Sequence, residues 1–136
     1  MGFKRGYTEL LAWQKAMDFI DAIYSATRNF PKEELYGLCS QLRRSAVSIA
    51  ANLAEGCSRT STKEFIRFVE IALGSLAETE THLMIAHRQK YLNAELLNVS
   101  LEQGAEIGRM MQGLRNSLEK RLQSDLTNRQ PLTASN

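Results

Sequence analysis

With 136 residues, 43% of them hydrophobic and 24% charged, the chain has the make-up of one globular domain able to bury a core. Its net charge of +2 is too small to define a partner, so any basic surface must come from how the charges are distributed. No stretch approaches the ~20 apolar residues of a membrane span, and the opening MGFKRGYTE has neither an apolar signal core nor the Ser or Thr that N-myristoylation prefers after Gly2. Cys39 and Cys57 stand eighteen positions apart. On one helix that is about 27 Å, beyond disulfide reach, so they read as free thiols of a reducing compartment, and a cytoplasmic protein is expected.

Residues 1–7 read as a loose lead. Thr8 fits an N-cap, with Glu9 in the first turn of a helix reaching about Arg28. Leu10, Trp13, Met17, Ile20 and Tyr24 step by three and four and form its expected inner stripe, widened by Leu11, Ala16, Phe19 and Ile23. Asn29-Phe30-Pro31 ends it, because the residue before proline is pushed out of the helical region. Residues 31–37 are a connector with room for one short turn.

The second helix is expected from about Leu38 to Ala54 or Glu55, with Gly56 as a left-handed C-terminal cap. Leu38, Leu42, Ile49 and Leu53 make an apolar row. Gln41, Ser45, Ser48, Asn52 and Glu55 make a second row at heptad spacing, so these polar groups share one side. Alanines 46, 50, 51 and 54 let a neighbouring helix come close. A polar row in so alanine-rich a helix reads as a buried hydrogen-bonding seam or a protein interface. Its expected partners on the third helix include Arg67, Glu70, Ser75 and Glu78. A buried Glu55 needs a cation, for which Arg43, Arg44 and Arg67 are the candidates.

Ser61-Thr62-Lys63-Glu64 has capping-box spacing and opens a long third helix reaching about Lys90. Its inner row is Phe65, Phe68, Ala72, Leu76, Thr79, Leu83 and Ala86, supported by Val69, Ile71 and Ile85. Gly74 beside Ser75 is expected to mark a close helix crossing. Asn93 caps a fourth helix from about Ala94 to Leu122, striped by Leu97, Leu101, Gly104/Ala105, Gly108, Met111, Leu114, Leu118 and Leu122. Residues 124–136 are polar, contain Pro131 and read as a disordered tail. Four amphipathic helices with short connections specify an all-α, up-down four-helix bundle over residues 1–123.

The residues give little support to catalysis or metal binding. A di-iron bundle needs Glu-x-x-His on two helices and two further glutamates. Here the two histidines, His82 and His87, share one helix at a spacing that does not stack them. No glycine-rich phosphate loop appears, and nothing sets a histidine beside either cysteine. No catalytic residue, metal or cofactor is expected. Arg43, Arg44, Arg59, Lys63 and Arg67 gather near the second turn of the chain, with the hydroxyls of residues 58 and 60–62 and a helix N-terminus beside them. Such groups suit phosphate oxygens. Charge reversal at Arg59 and Lys63 is expected to abolish nucleic-acid binding while sparing a protein partner.

Several motifs resemble one bacterial family. Gln41-Leu-Arg-Arg-Ser45, Ser48-Ile-Ala-Ala-Asn52-Leu-Ala-Glu55-Gly56, Glu64-Phe-Ile-Arg67-Phe-Val, Ile71-Ala-x-Gly74-Ser75-x-x-Glu78 and the earlier Leu11-Ala-Trp-Gln-Lys-Ala16 look like the small four-helix-bundle proteins encoded in 23S rRNA intervening sequences. These are often labelled S23 ribosomal protein. The accessory protein of diversity-generating retroelements is similar in fold. The resemblance covers roughly residues 8–122 and implies a homo-oligomer, typically a pentameric ring, with a basic surface and RNA or DNA as ligand. It carries over no catalytic residues. The competing reading is a protein-interaction module that partners another protein without nucleic acid.

Overall fold

The computed structural model describes residues 6–129, which form four α-helices and no strand. They are α1 (Leu11–Thr27), α2 (Leu38–Cys57), α3 (Thr62–Arg88) and α4 (Ala94–Arg129). Short 3₁₀ turns at Gly6–Glu9 and Lys32–Glu34 precede α1 and α2. Each helix packs on two neighbours, in the order α1–α2–α3–α4 and back to α1, with no diagonal contact. The register is antiparallel: Ser45 meets Thr79 while Ser48 meets Ser75, so one helix rises as the other falls. This is the up-down four-helix bundle its hydrophobic periodicity demands.

Local chemistry accounts for most of the boundaries. Ser61 Oγ accepts the Glu64 N–H at 3.2 Å, and Asn93 Oδ1 accepts the Leu96 N–H at 2.8 Å, so α3 and α4 start where their caps stand. The end of α3 is closed by Lys90 in the left-handed conformation (φ 67°), with the Tyr91 N–H bonded to the Ala86 carbonyl and the Lys90 N–H to that of His87. That is a Schellman closure built on lysine in place of the usual glycine.

Other expectations change. Thr8 is not the N-cap of α1. It lies in the 3₁₀ turn, and Leu10 takes the cap position with no side-chain bond. The core face of α1 is Ala12, Ala16, Phe19, Ile23 and Thr27, one step round from the expected stripe. Leu11 and Met17 are exposed, while Trp13, Ile20 and Tyr24 lie at the boundary. Small alanines bring α1 close to its neighbours, and the aromatics with polar edges stay at the rim. Gly56 is not a left-handed cap, since no glycine has positive φ among the described residues. It is buried inside α2, where a Cβ would stand 2.7 Å from Phe68 Cβ, so its role is close approach of α2 and α3. Gly74 is the reverse case: exposed, with nothing within 4 Å of a Cβ. The close crossing lies instead at Gly104 and Gly108, each with a Cβ position 3.2 Å from the Leu76 side chain.

On α3, Phe65 is only half-buried, and Ile71 and Ile85 are 39% and 41% exposed. α4 continues through Arg129, seven residues beyond the expected Leu122. Of the expected tail, residues 124–129 are thus helical, and residues 130–136 lie outside the described residues, as do 1–5 of the lead.

Candidate functional site

The polar row of α2 divides by burial. At its centre is a hydrogen-bonded seam against α3. Ser48 Oγ and Ser75 Oγ are 2.8 Å apart, and Asn52 Nδ2 donates to the Ser48 carbonyl and hydroxyl at 2.8 and 2.9 Å. Deeper in, Thr79 Oγ1 stands 2.9 Å from Ser45 Oγ and 2.8 Å from the Ser75 carbonyl, and Ser45 Oγ is 3.1 Å from that of Leu42. Thr79 therefore completes the seam, although its sequence position places it in the apolar inner row. Every hydroxyl is satisfied, as burial requires.

The ends of the row lie outside. Gln41 and Glu78 are exposed, and Glu78 Oε2 stands 3.3 Å from His82 Nε2. Glu55 is not buried either. Its side chain is 52% exposed and pairs at 2.6 Å with Arg59, not with Arg43, Arg44 or Arg67. The i,i+4 spacing puts Arg59 one turn away in open solvent, so no buried charge demands a partner.

The five candidate cations do not form one cluster. Arg59, Lys63 and Arg67 stand at the α2–α3 turn, about 20 Å along α2 from Arg43 and Arg44. Acids already occupy that turn. Arg59 pairs with Glu55, and Arg67 is 3.6 Å from Glu64. Both guanidiniums flank the Phe68 ring, at 5.0 and 5.6 Å. Lys63 and Arg67 line a groove of about 560 Å³ between α3 and α4, but Glu64, Glu70 and Glu119 line it too. Arg115 bonds Glu70 at 2.8 Å across the same crossing.

At the other end of α2 the arrangement differs. Arg43 Nε donates to Thr27 Oγ1 at 2.8 Å, and the Thr27 hydroxyl in turn donates to the Ile23 carbonyl at 2.8 Å. The guanidinium lies 4.5 Å from the centroid of Tyr24. A buried threonine and an aromatic face thus hold the fork in place, and its two terminal nitrogens have no hydrogen-bond partner among the described residues. Arg44 is exposed beside it with no acid partner. Arg28 lines the adjoining shallow groove with Tyr24, Ile20, Val47 and one carboxylate, Asp21. The sequence reading gave Arg28 and Thr27 no role at a site and placed Tyr24 in the inner stripe of the first helix. The only available signal is that they end α1 opposite the start of α2.

Cys39 and Cys57 both lie on α2 as free thiols. Among the described residues, no group of three or more His, Cys, Asp or Glu side chains is placed to hold a metal, and no helix is long and apolar enough to cross a membrane.

The fold and site together define a four-helix-bundle protein with a polar inter-helix seam and a pre-set arginine fork at one end. A family model described as 23S rRNA-intervening sequence protein matches residues 8–113, and the chain belongs to that family. A crystal structure of a protein of unknown function from the S23 ribosomal protein family of Bacteroides thetaiotaomicron VPI-5482 has the same fold. It is 25% identical, with a TM-score of 0.73 over 78% of this chain and 96% of that one. Comparison with proteins of curated function returns no match.

Proposed function

We propose that this protein is a non-enzymatic, oligomeric binding module whose ligand is nucleic acid. The observation that carries the reading is Arg43. Its Nε donates to Thr27 Oγ1 at 2.8 Å and its guanidinium carbon lies 4.5 Å from the centroid of the Tyr24 ring, so the fork is held on two sides. A planar fork held in advance loses little freedom on meeting a phosphate, which is why arginine suits phosphodiester oxygens.

Assembly with further copies is supported by the outer edge of the seam. Ile71, Glu78 and Ile85 recur at heptad spacing on α3, and both isoleucines are about 40% exposed. The same edge is what favours the second reading, a module that binds a protein alone.

The test is fluorescence anisotropy of labelled RNA and DNA strands titrated with the protein across a salt series. Affinity that falls linearly with log salt supports phosphate contacts, and the slope counts them. Absence of binding at low salt overturns the nucleic-acid reading and leaves the protein-binding one. Sedimentation velocity tests assembly: a monomer at micromolar concentration overturns it.

A further inference from the structure

The connector between α1 and α2 is closed by backbone and side-chain hydrogen bonds. Three backbone bonds close it: Glu34 N–H to the Pro31 carbonyl, Leu35 N–H to that of Lys32, and Gly37 N–H to that of Glu34, at 2.9, 3.1 and 3.0 Å. The Glu34 carboxylate then reaches two ways. Oε1 accepts the Leu38 N–H at 3.2 Å, which caps α2, and Oε2 accepts the Tyr91 hydroxyl at 2.9 Å, which ties the connector to the end of α3. The Phe30 and Tyr91 rings meet at 5.6 Å. A Cβ at Gly37 would stand 2.9 Å from Glu34 Oε1, so a side chain there would displace the carboxylate that caps α2.

Within this turn Tyr36 is 92% exposed, and neither its ring nor its hydroxyl has a partner among the described residues. A loop side chain that merely follows a mobile segment would need no explanation, but this one is held out by a connector fixed on both sides. Lys32, exposed and without an acid partner, shares the turn. Arg43 and Arg44 follow on the second turn of α2, about 9 Å of helix beyond Leu38.

We infer that Tyr36 is a stacking platform for an unpaired base, with Lys32, Arg43 and Arg44 holding the flanking phosphates, so that the nucleic acid taken at this end is single-stranded or looped. The inference rests on the nucleic-acid reading above and adds the class of ligand. Every base offers a π-face to an aromatic ring, and a tyrosine fixes only two side-chain torsions to present one. Bases inside a duplex are already stacked on their neighbours and cannot reach the ring. The turn also carries an exposed carboxylate, Glu33, so it is the exposed ring that favours a nucleic-acid strand: a base stacks on it, whereas an acidic peptide gives it no defined counterpart.

The experiment titrates the whole protein against a labelled oligouridylate strand and an RNA duplex of equal length, with a polyglutamate chain as competitor. Tyr36→Ala is expected to weaken strand binding about tenfold and leave duplex binding unchanged, whereas Tyr36→Phe keeps the wild-type affinity. Because Tyr36 is 92% exposed, circular dichroism of both variants should match the wild type. Strand binding by Tyr36→Ala at the wild-type level, equal losses on strand and duplex, or displacement by polyglutamate at equal charge would each overturn the inference while leaving wild-type RNA binding in place. Wild-type protein that binds neither RNA removes the parent reading, and this one with it.

Discussion

At Glu34 one carboxylate joins the connector, the start of α2 and the end of α3; at Glu55 the carboxylate meets only Arg59 in open solvent. The difference decides what each is worth. Glu55→Ala removes an exposed i,i+4 pair, so urea denaturation should show a loss under about 1 kcal/mol. A loss of several kcal/mol would mean that Glu55 neutralises a buried charge after all. Glu80 is a third case. It is half-buried against Gly104 on α4 without a cation, and burial raises its pKa above the ordinary carboxylate value of 4.5. The native state then holds this proton more tightly than the unfolded chain, so Glu80's contribution falls as pH rises above the ordinary value. Glu80→Gln should remove that decline and be more stable than wild type at neutral pH, with little difference in acid. Thermal unfolding across a pH series reads both; parallel curves for the two proteins would contradict the assignment.

Glycines show how the elements are fitted. Gly56 allows α2 to lie on Phe65 and Phe68, and Gly56→Ala forces a Cβ to within 2.7 Å of Phe68 Cβ. Helix propensity alone favours alanine by about 1 kcal/mol, but overpacking costs about 1–3 kcal/mol, so the variant should be destabilised. Gly74→Ala meets no atom within 4 Å and should gain most of that propensity, roughly 0.5–1 kcal/mol. Chemical denaturation of the two variants should thus move in opposite directions, and a shift of the same sign in both would show that contact distance is not what separates them. The caps at Ser61 and Asn93 and the break at Pro31 were legible in the sequence because each acts locally. The phase of α1 was not. Its apolar band is wide enough to hold two stripes, and only packing selects Ala12, Ala16, Phe19 and Ile23 over Trp13, Met17 and Ile20. For the same reason Gly56 reads as a cap and Gly74 as a crossing, when each does the other's kind of work: a glycine's neighbours across the bundle are invisible along the chain.

Across the whole molecule, a net charge of +2 hides two ends of different character. At the α2–α3 turn Arg59, Arg67 and Arg115 are spent on Glu55, Glu64, Glu70 and Glu119. At the α1–α2 connector Arg28, Lys32 and Arg44 are exposed without acid partners among the described residues, Arg43 is pre-set by Thr27 and Tyr24, Tyr36 projects into solvent, and the exposed acid is Glu33. A sequence displays the cations but not which of them have acids within reach, which is why Arg43, Arg44, Arg59, Lys63 and Arg67 read as one patch. The most direct measurement is RNA binding, followed by anisotropy over a salt series, for two charge-reversal pairs, Arg28→Glu/Arg44→Glu and Arg59→Glu/Lys63→Glu. The connector pair should lose at least about tenfold in affinity and about two from the salt slope, while the turn pair stays within about twofold of wild type. Loss confined to the turn pair, or equal loss in both, would contradict a nucleic-acid interface at the connector end.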